Sequence, residues 1–583
     1  MRSTLRSFLT ASLLFAACDA GHPTAAAGAT GGGPVPGGGG PVGGGAQPTP
    51  TPAPTNPIVR DGQPITLRGR VTDTSNAPVR GARVRVRGET NFVPSDGDGR
   101  FTLYTEGLLP LIVTAGKDGF FNGNGSATST QAPVALQLAP IPTSDDPNYQ
   151  FLFGTDCAIC HPNDHYEWSN SNMSMAGINL WTHDVHNGGG TAGGQNGFVY
   201  KRDSVLRTTN PTGECANCHQ PMRAARNPNH TDMAPLSDPE AQDGVTCDVC
   251  HKTFSIGMAN LGWPGVDPLK MRMRRPADAY SQPIMFGPRD DATFNNPPMA
   301  PAFSSAHEDG SRLCAGCHED ANDTNQNGRF DDPGDIPHEM SFSEWRASSF
   351  AVPGPGFKSC ADCHMLNSNN RSRLCNFGGP IRPAASIHGH TFEGTTAAMV
   401  QSAANLTANV TALAGRRVRV DVDIHNHSAG HKFPTGVHIR NLILKVEVTQ
   451  GGVPLTQTAG GSIDFVGGVG SPAQGDYAGL PGKTYARVYG DAQNVAGVFY
   501  TEGTTLQYDT RILPGQHDRP SFEFQAGAGA VDVRVVLLYR RAYRHFIRAK
   551  GWTTDGHGNP LADVIAPDFG VKVGESVQSI VVP

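Results

Sequence analysis

Cys247-Asp-Val-Cys250-His251 sets two thiols and an imidazole at fixed offsets, and the spacing recurs. The same spacing appears at Cys157-Ala-Ile-Cys160-His161, Cys215-Ala-Asn-Cys218-His219, Cys314-Ala-Gly-Cys317-His318 and Cys360-Ala-Asp-Cys363-His364. Two thiols three positions apart reach the two vinyl groups on one edge of a haem. The His that follows lies under the iron as proximal ligand. The repeat therefore predicts five covalently bound c-type haems. Zinc knuckles and redox disulfides are the competing reading, which an exported chain disfavours. Ten of the 12 cysteines are used in this way, leaving Cys18 and Cys375. Cys375 is expected to be a free buried thiol.

Outward from the motifs, residues 149–398 hold few long periodic segments. A haem is itself a large apolar body, so a chain only 38% hydrophobic and 7% aromatic can collapse around several of them. No apolar run of 18 residues occurs, which excludes a multi-span membrane protein. A net charge of −6 argues against a nucleic-acid partner.

Residues 1–18 read MRSTLRSFLTASLLFAAC, a charged start and a short apolar stretch ending in Cys18. They resemble a bacterial lipoprotein signal, departing from it at Phe15. The resemblance implies a membrane anchor through lipid on Cys18, with the chain exported and held at the cell envelope, at the outer membrane facing periplasm or cell surface. Ordinary cleavage at Ala16-Ala17 is the alternative. Residues 19–57 are rich in Gly and Pro and read as a disordered linker.

Residues 58–148 contain neither Cys nor His and alternate at Arg83–Arg87 and Phe101–Tyr104, with further strands at Leu111–Ala115 and Pro133–Leu138. A small β-sandwich is predicted. The strings GRVTDTSNAPVRGARVRV, SDGDGRFTL and VTAGKDGF resemble carboxypeptidase regulatory-like domains, which implies a transthyretin-like fold without catalysis. Asp96 and Asp98 look like metal ligands, but they are expected to cap the turn before Phe101. Residues 399–583 return to alternation at Val418–Ile424, Leu442–Val448, Val531–Tyr539 and Ser576–Val582, predicting a C-terminal β-sandwich. The fold class expected is thus multidomain: an N-terminal transthyretin-like β-sandwich, a loop- and helix-rich pentahaem domain and a C-terminal β-sandwich.

What binds the far face of each iron sets its role: a second His gives a low-potential carrier, Met raises the potential, and an empty face permits chemistry. His186 and His230 are candidates within the block. The strings GVTCDVCHK, SSAHEDGSRLCAGCHE, EWRASSFAVPGPGFKSCADCHM, HGHTFEG and NHSAGHKFPTG resemble multihaem c-type cytochromes related to the tetrahaem electron carriers of ammonia oxidisers. The resemblance implies distal ligation by His307, by His388 or His390, and by His431. Two departures stand out. Glu167-Trp168 is followed at the expected His position by Met173, and its internal repeat Glu344-Trp345 by Phe350. Met173 is either a thioether ligand or core packing; Phe350 cannot ligate.

Asp323, Asn325, Asn327 and Asp331, with Gly328 between them, follow the oxygen spacing of a Ca2+ loop, although the twelfth-position Glu is missing. A solvated acidic turn is the alternative.

The function expected is electron transfer at the bacterial envelope, with redox proteins of the envelope as partners. The alternatives are a haem-dependent reductase or oxidase of a small nitrogen or sulfur compound at one open haem, and an adhesive protein with structural haems. No nucleotide loop, nucleophile elbow or metalloprotease motif occurs.

Overall fold

The computed structural model describes residues 62–275, 284–293, 299–367, 370–376 and 379–583. The signal, Cys18 and the linker lie outside the described residues. Among those described, no helix is long and apolar enough to cross a membrane.

The first part of the described chain is built from two sheets. One orders Arg100–Glu106, Pro64–Asp73 and Val134–Leu138; the other orders Val93–Pro94, Arg83–Val86, Leu111–Gly116 and Gly123–Ala127. Alternation explains both. In Arg100–Glu106, Phe101 and Leu103 point inward while Tyr104 is exposed. Leu67, Val71, Val84, Val113 and Leu136 join them in one core between the sheets. Asp96 Oδ1 accepts from the backbone N–H of Asp98 and of Arg100 at 2.9 and 2.7 Å, which shapes the turn before Phe101 as expected.

The last part repeats the principle on a larger scale. One sheet orders Ala404–Leu413, Arg417–Asn426, Ser521–Gln525 and Thr456–Ala459; the other orders Val453–Pro454, Asn441–Gln450, Gly529–Arg540 and Val571–Val582. Val418, Val420, Val422 and Ile424 face Leu444, Val446, Val533 and Val535 in a shared core.

Between them, the described residues of 149–398 form short helices, turns and three two-stranded sheets. Three attachment motifs sit on single helical segments: Cys215–His219, Cys247–Lys252 and Cys360–His364. One helical turn brings a Cys and the Cys three positions on to the same side. The Cys314 motif starts on a 3-10 turn, Arg312–Gly316. Its core is small, and Met222, Met233, Met271 and Met273 contribute heavily.

Both β parts are locked onto this middle block. On one side, Arg83 and Arg85 reach Asp290 at 2.8 and 2.6 Å, and Asp291 accepts from Gly88 N and Arg382. On the other, Trp552 stacks on Trp181 with centroids 4.1 Å apart and planes 7° apart. Trp552 Nε1 donates to Asp184 Oδ2 at 2.8 Å, and buried Lys550 donates to the carbonyls of Asp184 and Gly194.

Candidate haem array

A proximal His needs one ring nitrogen fixed so that the other is presented to the iron. Four of the motif histidines meet this. Nδ1 of His161 lies 2.8 Å from Leu374 O, that of His219 3.0 Å from Ala176 O, and that of His251 2.6 Å from Phe286 O. Nδ1 of His364 is held by Glu393 O. Each arrangement leaves Nε2 for a ligand. Burial pushes His219 and His251 down to about 4, keeping both imidazoles neutral. His318 is lowered by burial as well.

The ten motif thiols carry no disulfide. Burial pushes Cys215 and Cys250 up to about 12, so both stay protonated. Free paired thiols beside a neutral, oriented imidazole are what covalent haem attachment needs, and the donor set fits the group. Cys375 corrects the expectation: it is disulfide-bonded and half-buried, not a free buried thiol. Composition cannot reveal this, because pairing depends on which residues tertiary folding brings together.

The motifs touch one another in space. The Cys157 thiol contacts that of Cys247, Cys218 contacts Cys317, and Cys314 contacts Cys360. Cys250 is near enough to Cys314 and Cys317 to act on them electrostatically. The first motif therefore adjoins the third, the third adjoins the fourth, and the second and fifth both adjoin the fourth.

Two distal candidates face proximal rings. His307 stands 5.7 Å from His251 between ring centroids with planes 28° apart, and His431 stands 6.3 Å from His364 with planes 18° apart. Two imidazoles on one metal, each at a bond of about 2.0 Å, put their centroids roughly 6 Å apart. His431 reaches this position although it belongs to the segment after Arg417–Asn426. No comparable ring pair occurs for His161, His219 or His318 among the described residues.

The other candidates are placed differently. His390 Nδ1 lies 2.9 Å from Asp164 Oδ1, and its backbone N–H donates to Glu167 Oε2. Burial works against the Asp164 charge, yet His161, His390 and Arg371 hold it well below the usual carboxylate range. His388 is half-buried. His186 is fully buried, with Nε2 2.9 Å from Thr212 O and Nδ1 lacking a hydrogen-bond partner among the described residues. His230 is exposed. Met173 is half-buried, its carbonyl accepting from Val245 N. Phe350 packs near Gly430, the residue before His431.

Sequence reasoning missed His557. Its Nδ1 is buried without a hydrogen-bond partner, and it lies close enough to His219 to lower that group. It sits in a turn of the last β part, far from any Cys, so no spacing signal could have found it. A second omission is a cluster beside the second motif. His338 stacks on Tyr500 at 3.6 Å and pairs with Asp320 at 3.2 Å. Burial, with Asp320 and Asp323 nearby, pushes Glu214 up to about 8.

In the predicted Ca2+ loop, Asp323 accepts from Asn327 N and Gly328 N, and Asn325 and Asn327 donate to Asp332. Asp331 turns instead to Arg329 at 3.0 Å. The fourth converging side chain is thus Asp332 rather than Asp331.

The chain shares its fold with a pentahaem cytochrome. That structure is a penta-haem cytochrome c552 from Thermochromatium tepidum, 19% identical, with a TM-score of 0.50 over 74% of this chain and 99% of the other. No family model matches the sequence. No curated protein matches it either.

Proposed function

We propose that this chain is a pentahaem c-type cytochrome that carries electrons through a branched array, exported to the cell envelope. The observation that carries the reading is the contact between attachment motifs. Thioether sulfurs mark haem edges, so touching motifs mean short edge-to-edge paths. The fourth motif meets the second, third and fifth, and is the branch point. Each bound haem supplies a one-electron iron couple. The protein's part is to hold facing imidazoles, as His251 with His307 and His364 with His431 do. The fold shared with the c552 supports the reading, as do the signal-like residues 1–18.

The test removes the branch. In Cys314→Ser/Cys317→Ser, the covalent haem content should fall from five to four. Reduction of the remaining haems after a pulse of reductant should slow by at least tenfold. Unchanged kinetics in a variant that has lost one haem would remove the relay.

One observation favours a second reading, reduction of a small nitrogen or sulfur compound at the second motif. Among the described residues no ring pairs with His219 as His307 pairs with His251, and Glu214, His338 and Tyr500 gather beside that motif. A carboxyl kept protonated near neutral pH is a ready proton donor. A high-spin resonance that shifts on adding nitrite would support this reading, whereas exclusively low-spin resonances would exclude it.

A further inference from the structure

The first β part holds neither Cys nor His, yet it reaches the supports of both imidazoles at the third motif. His251 is fixed through Nδ1 by Phe286 O at 2.6 Å, and the ring that faces it belongs to His307. Phe286 lies in the strand Ile284–Gly287, which pairs in parallel with Ala300–Phe303. The second strand runs on into the short helix Ser305–Glu308, which carries His307. One two-stranded sheet thus supports both rings. Nε2 of His307 lies 2.9 Å from Thr253 O, which leaves Nδ1 for the iron. Nδ1 is bonded to Cγ, close to the main chain, so a backbone shift at His307 carries the ligating atom with it.

Asn122 joins the two strands of that sheet. Its Nδ2 donates to Arg289 O and to Ala292 O, each at 2.8 Å, and its Oδ1 accepts from Phe303 N at 3.0 Å. Both amide hydrogens and the amide oxygen are therefore engaged. Its backbone N–H also donates to Pro301 O at 3.0 Å. Asp118 Oδ1 accepts from Ser305 N at 2.9 Å and fixes the start of the helix. Arg83 pairs with Glu308, the residue after His307, and its guanidinium carbon lies 4.9 Å from the Phe303 ring centroid. His307 is held on both sides in sequence by side chains of the first β part.

We propose that Asn122 is a positioning residue for the third haem: through the sheet it joins, the first β part keeps His307 within bonding reach of the iron and that haem low-spin. The inference rests on the reading of His307 as the distal ligand. It gives the β part a role in the redox array although no residue of that part can ligate iron.

Electron paramagnetic resonance of the oxidised, haem-loaded full chain reads the ligand, and a redox titration reads its consequence. Asn122→Ala should leave haem content unchanged, add a high-spin signal from one haem and shift one midpoint potential while the others stay in place. Cyanide should bind that haem about tenfold faster than in the wild type, the equivalent of one lost hydrogen bond. Free imidazole should restore the low-spin signal, as expected of an open iron in a folded chain. Asp118→Ala, which removes only the bond to Ser305 N, should move the same haem by less. Tyr104→Ala, on the exposed face of the same β part, should match the wild type. His307→Ala separates the two ways of failing. If it stays wholly low-spin, the distal assignment falls and the inference with it. If it turns high-spin while Asn122→Ala and Asp118→Ala match the wild type in spin state and potential, the inference alone is overturned. A high-spin signal in Asn122→Ala that imidazole leaves untouched would also overturn it.

Discussion

Replacing Trp552 by Ala should detach the last β part from the block that carries the attachment motifs. Trp552 is 3% exposed, and its ring stacks on Trp181 at 4.1 Å. Truncating a buried Trp costs about 3–5 kcal/mol, and the aromatic pair adds about 0.5–1.5 kcal/mol. Its indole N–H also donates to Asp184, a fully buried carboxylate that further accepts from Gly190 N, Thr191 N and Thr191 Oγ1. A hydrogen bond to a charged group contributes about 1.5–3 kcal/mol, but here it overlaps with the packing loss. The combined cost is about 4–6 kcal/mol. For a cooperative unit of a few hundred residues this lowers Tm by roughly 10–20 °C. Circular dichroism follows the β signal while Soret absorbance follows the haems, and the two should no longer melt together. Asp184→Asn in a double-mutant cycle with Trp552→Ala should show coupling of about 1–3 kcal/mol. A Tm loss below about 3 °C, on the same scale, would refute the docking. The exposed Tyr104→Ala is the control, expected to change stability by less than about 0.5 kcal/mol.

His431→Ala should convert one haem from low-spin to high-spin, read by electron paramagnetic resonance; an unchanged spectrum would remove His431 as an axial ligand. Glu214 is raised in the folded state from 4.5 to about 8, so the folded chain binds this proton more tightly than the unfolded one. Its contribution is present below pH 4.5 and is lost as pH rises toward 8, and Glu214→Gln should flatten that part of the stability–pH curve. A slope identical to wild type would contradict the burial. Asp291 is fully buried, accepts from Gly88 N at 2.8 Å and pairs with Arg382 at 2.8 Å. Asp291→Ala should cost about 3–5 kcal/mol and expose residues 62–148 to limited proteolysis, with wild-type cleavage rates counting against the clamp. Calorimetry with Ca2+ should give heat that disappears in Asp323→Asn and in Asp332→Asn; absence of heat in the wild type would leave a solvated acidic turn.

The sequence alone determined what local covalent chemistry determines. Cys and His at fixed offsets announce attachment sites wherever they fall, because a single helical turn suffices to place them. Alternation at Arg83–Val86 or Val418–Ile424 announces strands for a similar reason, since a pleat is a two-residue property. The turn at Asp96 was legible too, its bonds spanning only four residues. Other features join residues far apart in the chain and arise only once the chain has packed. His431 faces His364 across 67 positions, and Trp552 meets Asp184 across 368. His557 comes near His219, and Asp332 displaces Asp331 because of where each carboxylate points. The order in which motifs touch, with the fourth at the branch, is likewise a matter of packing. Such partners are selected by burial and complementary polar groups after the chain has collapsed, and no periodicity in the sequence records them.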